Sequence, residues 1–263
     1  MSNVLSVENL NYKNILKNIN FTLEKATINA LMGSSGSGKT TILKSIFGLI
    51  EIEGFLNING LIIDKKNINE LRKEMGIYLG IGVLQNKSVF LNIMEPLKNL
   101  NYEEEAAKNK IYSISKKIGI ENLLYKNVSE LSYSEKKVIA FTQSIIHEPG
   151  IILIDNIFDS LDIHYKEKIL SYLKQIKKSK KGTILFVTNN SEDLSFADNI
   201  LIIKNGKISA TGTLEEVVHQ ENLFSKNDLK LPFIIDLSYK LKAYEVIERL
   251  IYDADEMVDE LWQ

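Results

Sequence analysis

Gly33-Ser34-Ser35-Gly36-Ser37-Gly38-Lys39-Thr40 is the stretch that decides the fold, because it fits the pattern G-x-x-x-x-G-K-S/T. The apolar residues 28–32 before it predict a strand, and apolar residues at helical spacing after it predict a helix that ends near Gly48. Strand, glycine loop and helix follow one another in the order that a phosphate-binding loop requires. A chance glycine-rich turn is the alternative, and the flanking strand and helix count against it.

Each residue type in this loop has a chemical reason. Glycines let consecutive backbone N–H groups turn toward phosphate oxygens at the start of a helix. The Lys39 ammonium would reach the β- and γ-phosphates, and the Thr40 hydroxyl would bind Mg²⁺. We therefore expect nucleotide contacts from Gly33, Ser34, Ser35, Gly36, Ser37, Gly38, Lys39, Thr40 and Thr41.

A second motif completes such a site. Residues 151–154 are all isoleucine or leucine and predict a buried strand, which Asp155 ends. At the carboxyl edge of a parallel sheet this carboxylate would lie beside Mg²⁺. Because any parallel strand can end in aspartate, Asp155 is informative only together with the phosphate loop.

Composition excludes several classes of function. The 263 residues are 44% apolar, yet no uninterrupted apolar run approaches the roughly 20 residues of a membrane helix, and residues 1–8 lack a secretion signal. With no cysteine and three scattered histidines, any metal must be bound by oxygen. A net charge of −2 differs from the basic balance of a nucleic-acid binder, and only Arg72 and Arg249 carry guanidinium groups.

The order of strand and helix patterns divides the chain. Asn-Gly steps at 59–60 and 205–206 lie between apolar runs and predict two-residue hairpins. Residues from about 86 to 145 read as a helical insert, and residues 151–187 have the strand-helix-strand spacing of a parallel sheet.

We expect one domain over residues 1–220 and a helical extension over 221–263. In the extension, Leu231-Pro232 opens a helix whose apolar residues keep helical spacing as far as Ile251. The last 20 or so residues read as an acidic, solvated helix with Trp262 packed on the domain.

Over residues 3–220 the order of motifs resembles the ATP-binding cassette subunits of ABC transporters. Gln85 stands at the position of the family's Q-loop glutamine, and Leu131-Ser132-Tyr133-Ser134-Glu135 stands at its signature. Ser160-Leu161-Asp162 matches the D-loop, and Asn189 stands where the family has its switch histidine. Tyr12 takes the place of an aromatic that stacks on adenine, with a tyrosine of the core as the alternative.

The resemblance implies an α/β fold: a P-loop NTPase (RecA-like) core with an antiparallel β subdomain, a helical insert and a C-terminal helical tail. It implies ATP and Mg²⁺, with Thr40, Gln85 and Asp155 around the metal and Ser132 at a partner's nucleotide. Transmembrane permease subunits and a second cassette, identical or different, would be the partners, with the chain on the cytoplasmic face of the membrane. The chain looks importer-like, and its tail is similar to energy-coupling-factor and cobalt-type cassettes.

Three positions depart from the family pattern. Asn156 replaces the glutamate that polarises the attacking water, and an amide cannot be a general base, whose loss typically costs about 10²- to 10⁴-fold in rate. Asn189 removes the titratable histidine. In the signature, Glu135 replaces glutamine, and a carboxylate about 4 Å from phosphate would be repelled by about 4 kcal/mol. With Asn156, Asn189 and Gln85 as degenerate catalytic positions, we expect slow hydrolysis.

Some alternatives remain open at the level of sequence. Ser132 and Glu135 have the spacing of a capping box, so the segment either only caps a helix or also contacts nucleotide on a partner. The apolar residues 88–97 are either core of the insert or, through Phe90 and Leu91, part of the groove that receives a membrane subunit. A hydrolysis-impaired cassette that regulates an active partner is the alternative function.

Overall fold

The computed structural model describes residues 3–220 and 222–262. Residues 1 and 2, in the segment expected to lack a secretion signal, and residue 221, at the expected domain boundary, lie outside the described residues. The strands are β1 (Asn3–Tyr12), β2 (Leu16–Glu24), β3 (Ile28–Gly33), β4 (Glu53–Ile58), β5 (Leu61–Ile62), β6 (Met75–Tyr78), β7 (Ile151–Asp155), β8 (Thr183–Thr188), β9 (Asn199–Lys204) and β10 (Lys207–Gly212). The helices are α1 (Lys39–Ile46), α2 (Ile68–Lys73), α3 (Val89–Asn99), α4 (Glu104–Ile118), α5 (Tyr133–Ile145), α6 (Ile163–Lys178), α7 (Leu214–Val218), α8 (Leu223–Lys226), α9 (Phe233–Ala243) and α10 (Ala254–Leu261).

Two sheets form the framework. One has the order β10-β9-β3-β8-β7-β6, in which β9 to β6 are parallel and β10 is an antiparallel edge. The other is antiparallel, with the order β2-β1-β4-β5. The central strands β3 and β8 are buried along their whole length, as expected of a parallel sheet covered on both faces.

Side-chain alternation along the parallel sheet builds a core on each face. In β8, Ile184 and Phe186 belong to the core formed with α5, α6 and the helical insert. Leu185 and Val187 belong to the core formed with α1 and the antiparallel sheet. Because successive side chains of a strand point to opposite faces, one apolar run serves both cores.

Both predicted Asn-Gly hairpins are confirmed. Asn59 and Gly60 have φ of 52° and 87°, and Asn205 and Gly206 have φ of 49° and 76°. Positive φ at both central residues is the requirement of the two-residue turn that matches strand twist. The second hairpin also reaches the phosphate loop, because the Gly206 N–H donates to the Ser37 carbonyl at 3.1 Å.

Three helices lie within the predicted helical insert. α3 buries Val89, Ile93 and Leu97 in the core, which agrees with the core interpretation of residues 88–97. α4 ends at Gly119, whose φ of 80° is the left-handed cap predicted from the sequence.

The tail departs from its predicted form. α9 begins after Pro232 as predicted but ends at Ala243, so the prediction of helical spacing as far as Ile251 is wrong. At Glu245 the backbone turns with φ of 57°, and this turn brings Ile251 back against α9, where its N–H donates to the Ser238 hydroxyl at 2.7 Å. Ile251, although at helical spacing from the apolar residues of α9, is therefore buried because the chain turns back and packs it against that helix.

The end of the chain differs as well. The predicted packing of Trp262 is wrong, because its side chain is 84% exposed. α10 is acidic and solvated as predicted, and it buries only Met257, in a small cluster with Ile247 and Ile251. Within residues 3–220 and 222–262, no helix has the length and apolar character needed to cross a membrane.

Candidate nucleotide site

The phosphate loop joins β3 to α1 at the carboxyl edge of the parallel sheet. Gly36 and Gly38 have φ of 76° and 110°, a region that side chains disfavour. A Cβ on Gly38 would lie 2.6 Å from the Leu16 side chain, so the loop also packs too tightly there for any larger residue. Gly38 precedes α1 directly, which directs the first backbone N–H groups of the helix toward the loop.

Lys39 lies buried inside this loop. Its ammonium donates to the carbonyls of Gly33 at 2.7 Å and Ser34 at 2.9 Å. Burial lowers the pKa of Lys39, and the carboxylates of Asp155 and Asp159 act against that shift. Burial thus disfavours the charged form of Lys39, and an anionic ligand beside the ammonium would stabilise that form.

The Ser37 hydroxyl has the position of a group that could contact a bound phosphate. It is buried and has no hydrogen-bond partner among the described residues. A buried polar atom without a partner is costly, and a phosphate oxygen in the loop would provide one. Of the remaining loop residues, Ser34, Thr40 and Thr41 are half-buried, and Ser35 and Gly36 are exposed.

Thr40 and Asp155 meet across the loop, as predicted. The Thr40 hydroxyl donates to Asp155 Oδ2 at 2.7 Å. Burial raises the pKa of Asp155, and the Thr40 hydrogen bond and the Lys39 charge oppose that rise. A hydroxyl and a carboxylate oxygen are ligands that Mg²⁺ accepts, so the pair suits a magnesium ion beside a nucleotide.

Asn156 and Asn189, at the ends of β7 and β8, contact each other. Asn189 Nδ2 donates to Asn156 Oδ1 at 3.0 Å, and Asn156 Nδ2 donates to Asp155 Oδ1 at 3.2 Å. Asn189 Nδ2 also donates to Asp159 Oδ2 at 3.3 Å. Two of the three positions that depart from the family pattern therefore belong to one hydrogen-bonded group with Asp159, which the sequence analysis did not single out.

Lys137 of α5 is a second residue that the sequence analysis missed. Its ammonium is buried and donates to the backbone carbonyls of Asn156, at 3.4 Å, and Asp159. Burial lowers the pKa of Lys137, and the Asp159 charge opposes that shift. The only sequence signal for Lys137 is a charge just before an apolar helical run, and the only signal for Asp159 is its place four residues after Asp155.

The capping-box interpretation of the signature segment is confirmed. The Glu135 N–H donates to the Ser132 hydroxyl at 3.2 Å, and the Ser132 N–H donates to Glu135 Oε2 at 2.7 Å. The Glu135 carboxylate is therefore turned back onto its own helix, which reduces the repulsion expected from it. Ser132 itself is exposed, so its contact with a partner's nucleotide stays a prediction.

Two predicted site residues lie apart from this group. Gln85 is exposed, and its Nε2 donates to Glu95 Oε1 at 3.0 Å, with no bond to Thr40 or Asp155 among the described residues. Tyr12 is half-buried at the end of β1 against the core below the antiparallel sheet, with the Lys13 ammonium 5.2 Å from its ring centre. Both the metal role of Gln85 and the adenine role of Tyr12 stay predictions.

Known proteins resemble the chain in sequence and in fold. The family model described as ABC transporter matches residues 16–159. The chain is 29% identical to the energy-coupling factor transporter ATP-binding protein EcfA1 of Mesomycoplasma hyopneumoniae (strain J), over 95% of this chain and 91% of that protein. It is 32% identical to EcfA2 of Caldanaerobacter subterraneus subsp. tengcongensis, over 86% and 82%. A solved structure of cbiO1 from Clostridium perfringens, described as part of the ABC transporter complex cbiONQ, has a TM-score of 0.76 at 25% identity, covering 94% of this chain and 100% of that one.

Proposed function

The chain belongs to the ABC transporter family, whose model covers more than half of it, and from that membership we propose that it is the ATP-binding subunit of an energy-coupling factor transporter. The names of its relatives EcfA1 and EcfA2 support the transporter type. The predicted family resemblance and the predicted P-loop fold are both confirmed by these similarities.

The observation that carries the proposal is the phosphate loop with its three prepared groups. The buried Lys39 ammonium, the unpaired Ser37 hydroxyl and the Thr40–Asp155 pair converge at the start of α1. ATP phosphates would enter between them, contacted by loop residues 33–41. Mg²⁺ bound at Thr40 and Asp155 would neutralise phosphate charge, and Gln85 would approach it once released from Glu95.

Binding of ATP, more than its rapid hydrolysis, would drive this subunit. Asn156 and Asn189 offer amide groups where the family has a carboxylate and an imidazole, so they can orient a water but take no proton from it. Closure of two cassettes around ATP then supplies motion to the membrane subunits. No specific observation favours the purely regulatory role over this one.

A groove between the helical insert and the edge of the parallel sheet suits a membrane subunit. It encloses about 330 Å³ and has an apolar lining that includes Tyr78, Leu79, Val83, Pro96 and Leu100. Apolar concave surfaces of this kind receive partner helices. We propose that a permease helix docks here and holds the chain at the cytoplasmic face of the membrane.

The predicted contact residues lie elsewhere on the insert. Phe90 stacks on Tyr125, with ring centres 6.4 Å apart, and Leu91 is exposed beside it. Neither lines the groove. The second cassette would meet the exposed Ser132. We also propose that the chain divides into a domain over residues 1–220 and an extension over residues 221–263. The extension would form a separate contact with the second cassette.

Equilibrium binding of a fluorescent ATP analogue with Mg²⁺ tests nucleotide binding. Lys39→Ala should weaken binding by at least about tenfold, because a charge-assisted contact to phosphate is lost. Lys178→Ala, which removes an exposed lysine at the end of α6, should bind like the wild type. Equal affinities for the two variants would contradict the proposal, and so would purification of the chain without any membrane subunit after co-expression with its neighbouring genes.

A further inference from the structure

Position 156 carries no carboxylate, yet a carboxylate lies beside it. Asn189 Nδ2 donates both to Asn156 Oδ1, at 3.0 Å, and to Asp159 Oδ2, at 3.3 Å. Because one amide nitrogen contacts both oxygens, these oxygens cannot be farther apart than the two hydrogen bonds together. The Asp159 carboxylate therefore shares a hydrogen-bond donor with the Asn156 side chain, so it lies close to the position where the family's water-polarising group is expected.

The backbone explains how a residue three positions along the chain reaches this place. Asn156 and Ser160 have positive φ, of 48° and 54°, so the segment turns back on itself after β7. The Lys137 ammonium contacts the carbonyls of Asn156 and Asp159 and so fixes both ends of the turn from α5. The position of Asp159 is thus built into the fold.

The Asp159 carboxylate also interacts electrostatically with Lys39 of the phosphate loop. Its charge opposes the lowering of the pKa of the buried Lys39, so the two groups are near enough to interact through space. Asp159 is half-buried, which leaves it accessible to a water molecule. Asp155 is less suited to receive a proton, because it already accepts a hydrogen bond from the Thr40 hydroxyl and would face the metal.

We propose that Asp159 is the general base for the ATP hydrolysis that this chain retains, an inference that rests on the proposed function. The oxygen of the attacking water forms a bond to the γ-phosphorus. The bond from the γ-phosphorus to the β,γ-bridging oxygen breaks, and its electron pair leaves with ADP. The proton of the water passes to the Asp159 carboxylate, and Asn156 and Asn189 hold the water through their amide groups.

The test uses the full chain with Asp159→Asn, which keeps the size of the side chain and its place beside Asn189. Hydrolysis should fall by about 10²-fold or more, as expected for loss of a general base. Affinity for the fluorescent ATP analogue should not fall below the wild-type value, and the variant should keep a cooperative unfolding transition. After incubation with ATP and Mg²⁺, the nucleotide recovered with the variant should remain ATP. Asp64→Asn, on a surface loop, is the matched control and should behave like the wild type.

A second variant separates a missing base from a disturbed structure. The double variant Asn156→Glu, Asp159→Asn has a carboxylate again beside Asn189, now carried by position 156. Its hydrolysis should be at least tenfold faster than that of Asp159→Asn alone. If Asp159→Asn alone hydrolyses ATP like the wild type, or if the double variant binds ATP without any recovery, the inference is overturned.

Wild-type hydrolysis no faster than that of Lys39→Ala would overturn the inference as well. None of these results touches the proposed function, which fails if the wild-type chain does not bind ATP, if Lys39→Ala binds it as tightly as the control variant, or if the chain does not associate with membrane subunits.

Discussion

At the scale of single residues, the chain keeps the phosphate-loop residues of the family pattern and departs from that pattern at the positions predicted to act on water. Lys39, Thr40 and Asp155 have the partners expected of a phosphate and magnesium site. Asn156 and Asn189 replace titratable side chains by amides that bond to each other. An amide is both a donor and an acceptor at any pH. The hydrogen bond between these two side chains therefore does not depend on pH, and neither side chain can accept a proton as a base.

His147 should make the stability of the chain depend on pH. Its Nε2 lies 3.1 Å from the Met75 carbonyl, and burial lowers its pKa below the ordinary 6.5, with Lys110 adding to the shift and the carbonyl and Glu74 opposing it. The folded state therefore favours neutral imidazole, whereas the unfolded chain takes up a proton more readily. Stability should fall as pH drops from about 7.5 through 6.5 and level off below the lowered pKa.

Urea unfolding of the wild type and His147→Gln at pH 7.5 and 5 measures this effect. The wild type should lose more unfolding free energy between the two pH values than the variant does. The same loss in both proteins would show that other groups cause the pH dependence.

At the scale of elements, the β9–β10 hairpin supports the phosphate loop. The Gly206 N–H donates to the Ser37 carbonyl, and the Gly206 carbonyl accepts from the Lys17 N–H at 2.8 Å. A Cβ on Gly206 would lie 2.0 Å from the Ile15 carbonyl oxygen, whereas a Cβ on Gly60, in the other Asn-Gly turn, meets nothing within 4 Å. One turn type thus serves two different structural purposes.

Gly206→Ala and Gly60→Ala form a matched pair. Both place alanine at positive φ, which costs about 1 kcal/mol or somewhat more. Only Gly206→Ala adds a backbone clash, so it should cost at least about 1 kcal/mol more in unfolding free energy and should also weaken ATP binding. Equal losses in urea unfolding would mean that the phosphate loop does not depend on this hairpin.

The start of α5 can be separated into capping and nucleotide contact by comparison with α7. Ser132 and Thr213 make equivalent capping boxes, with Glu135 and Glu216. Ser132→Ala and Thr213→Ala should each cost about 1 kcal/mol of stability. If Ser132 also contacts a partner's nucleotide, Ser132→Ala alone should reduce dimer formation with ATP and Mg²⁺, measured by sedimentation. Equal dimer formation by the two variants would leave Ser132 with the capping role only.

At the scale of the whole molecule, the three most exposed aromatic side chains of the described residues lie at two separate places. Tyr244 and Trp262 of the tail are 82% and 84% exposed, and Tyr125 of the helical insert is 76% exposed. Aromatic residues are enriched at protein interfaces, where they bury a large apolar area. Under the proposed function, the tail is a separate contact with the second cassette.

A tail variant and an insert variant distinguish these surfaces. Tyr244→Ser combined with Trp262→Ser should weaken association of the cassettes by about tenfold, because two large apolar contacts are lost. Tyr125→Ser should leave that association unchanged, since its ring belongs to the helical insert, where it packs on Phe90. Analytical ultracentrifugation measures this association. An equal drop for both variants, or a drop for neither, would contradict a dimer contact in the tail.

Local patterns determined the parts of the molecule whose geometry depends on neighbours in the chain. The phosphate loop, the Asn-Gly turns and the capping box follow from residue types at short, fixed spacing, because backbone conformation and nearby hydrogen bonds set them. The same is true of the start of α9 at Pro232 and the end of α4 at Gly119.

The pairing of Thr40 with Asp155 follows from two motifs, but the tertiary structure alone decided which other distant side chains meet. Asp159 reaches Asn189 because β7 and β8 are neighbours in the sheet, and Lys137 reaches both carbonyls of the intervening turn because α5 packs against it. In the tail, Ile251 is buried by a turn against α9 although its spacing also suits a helix. Short-range pattern fixes local conformation, but burial and charge pairing depend on contacts between residues far apart in the chain, which no local spacing encodes.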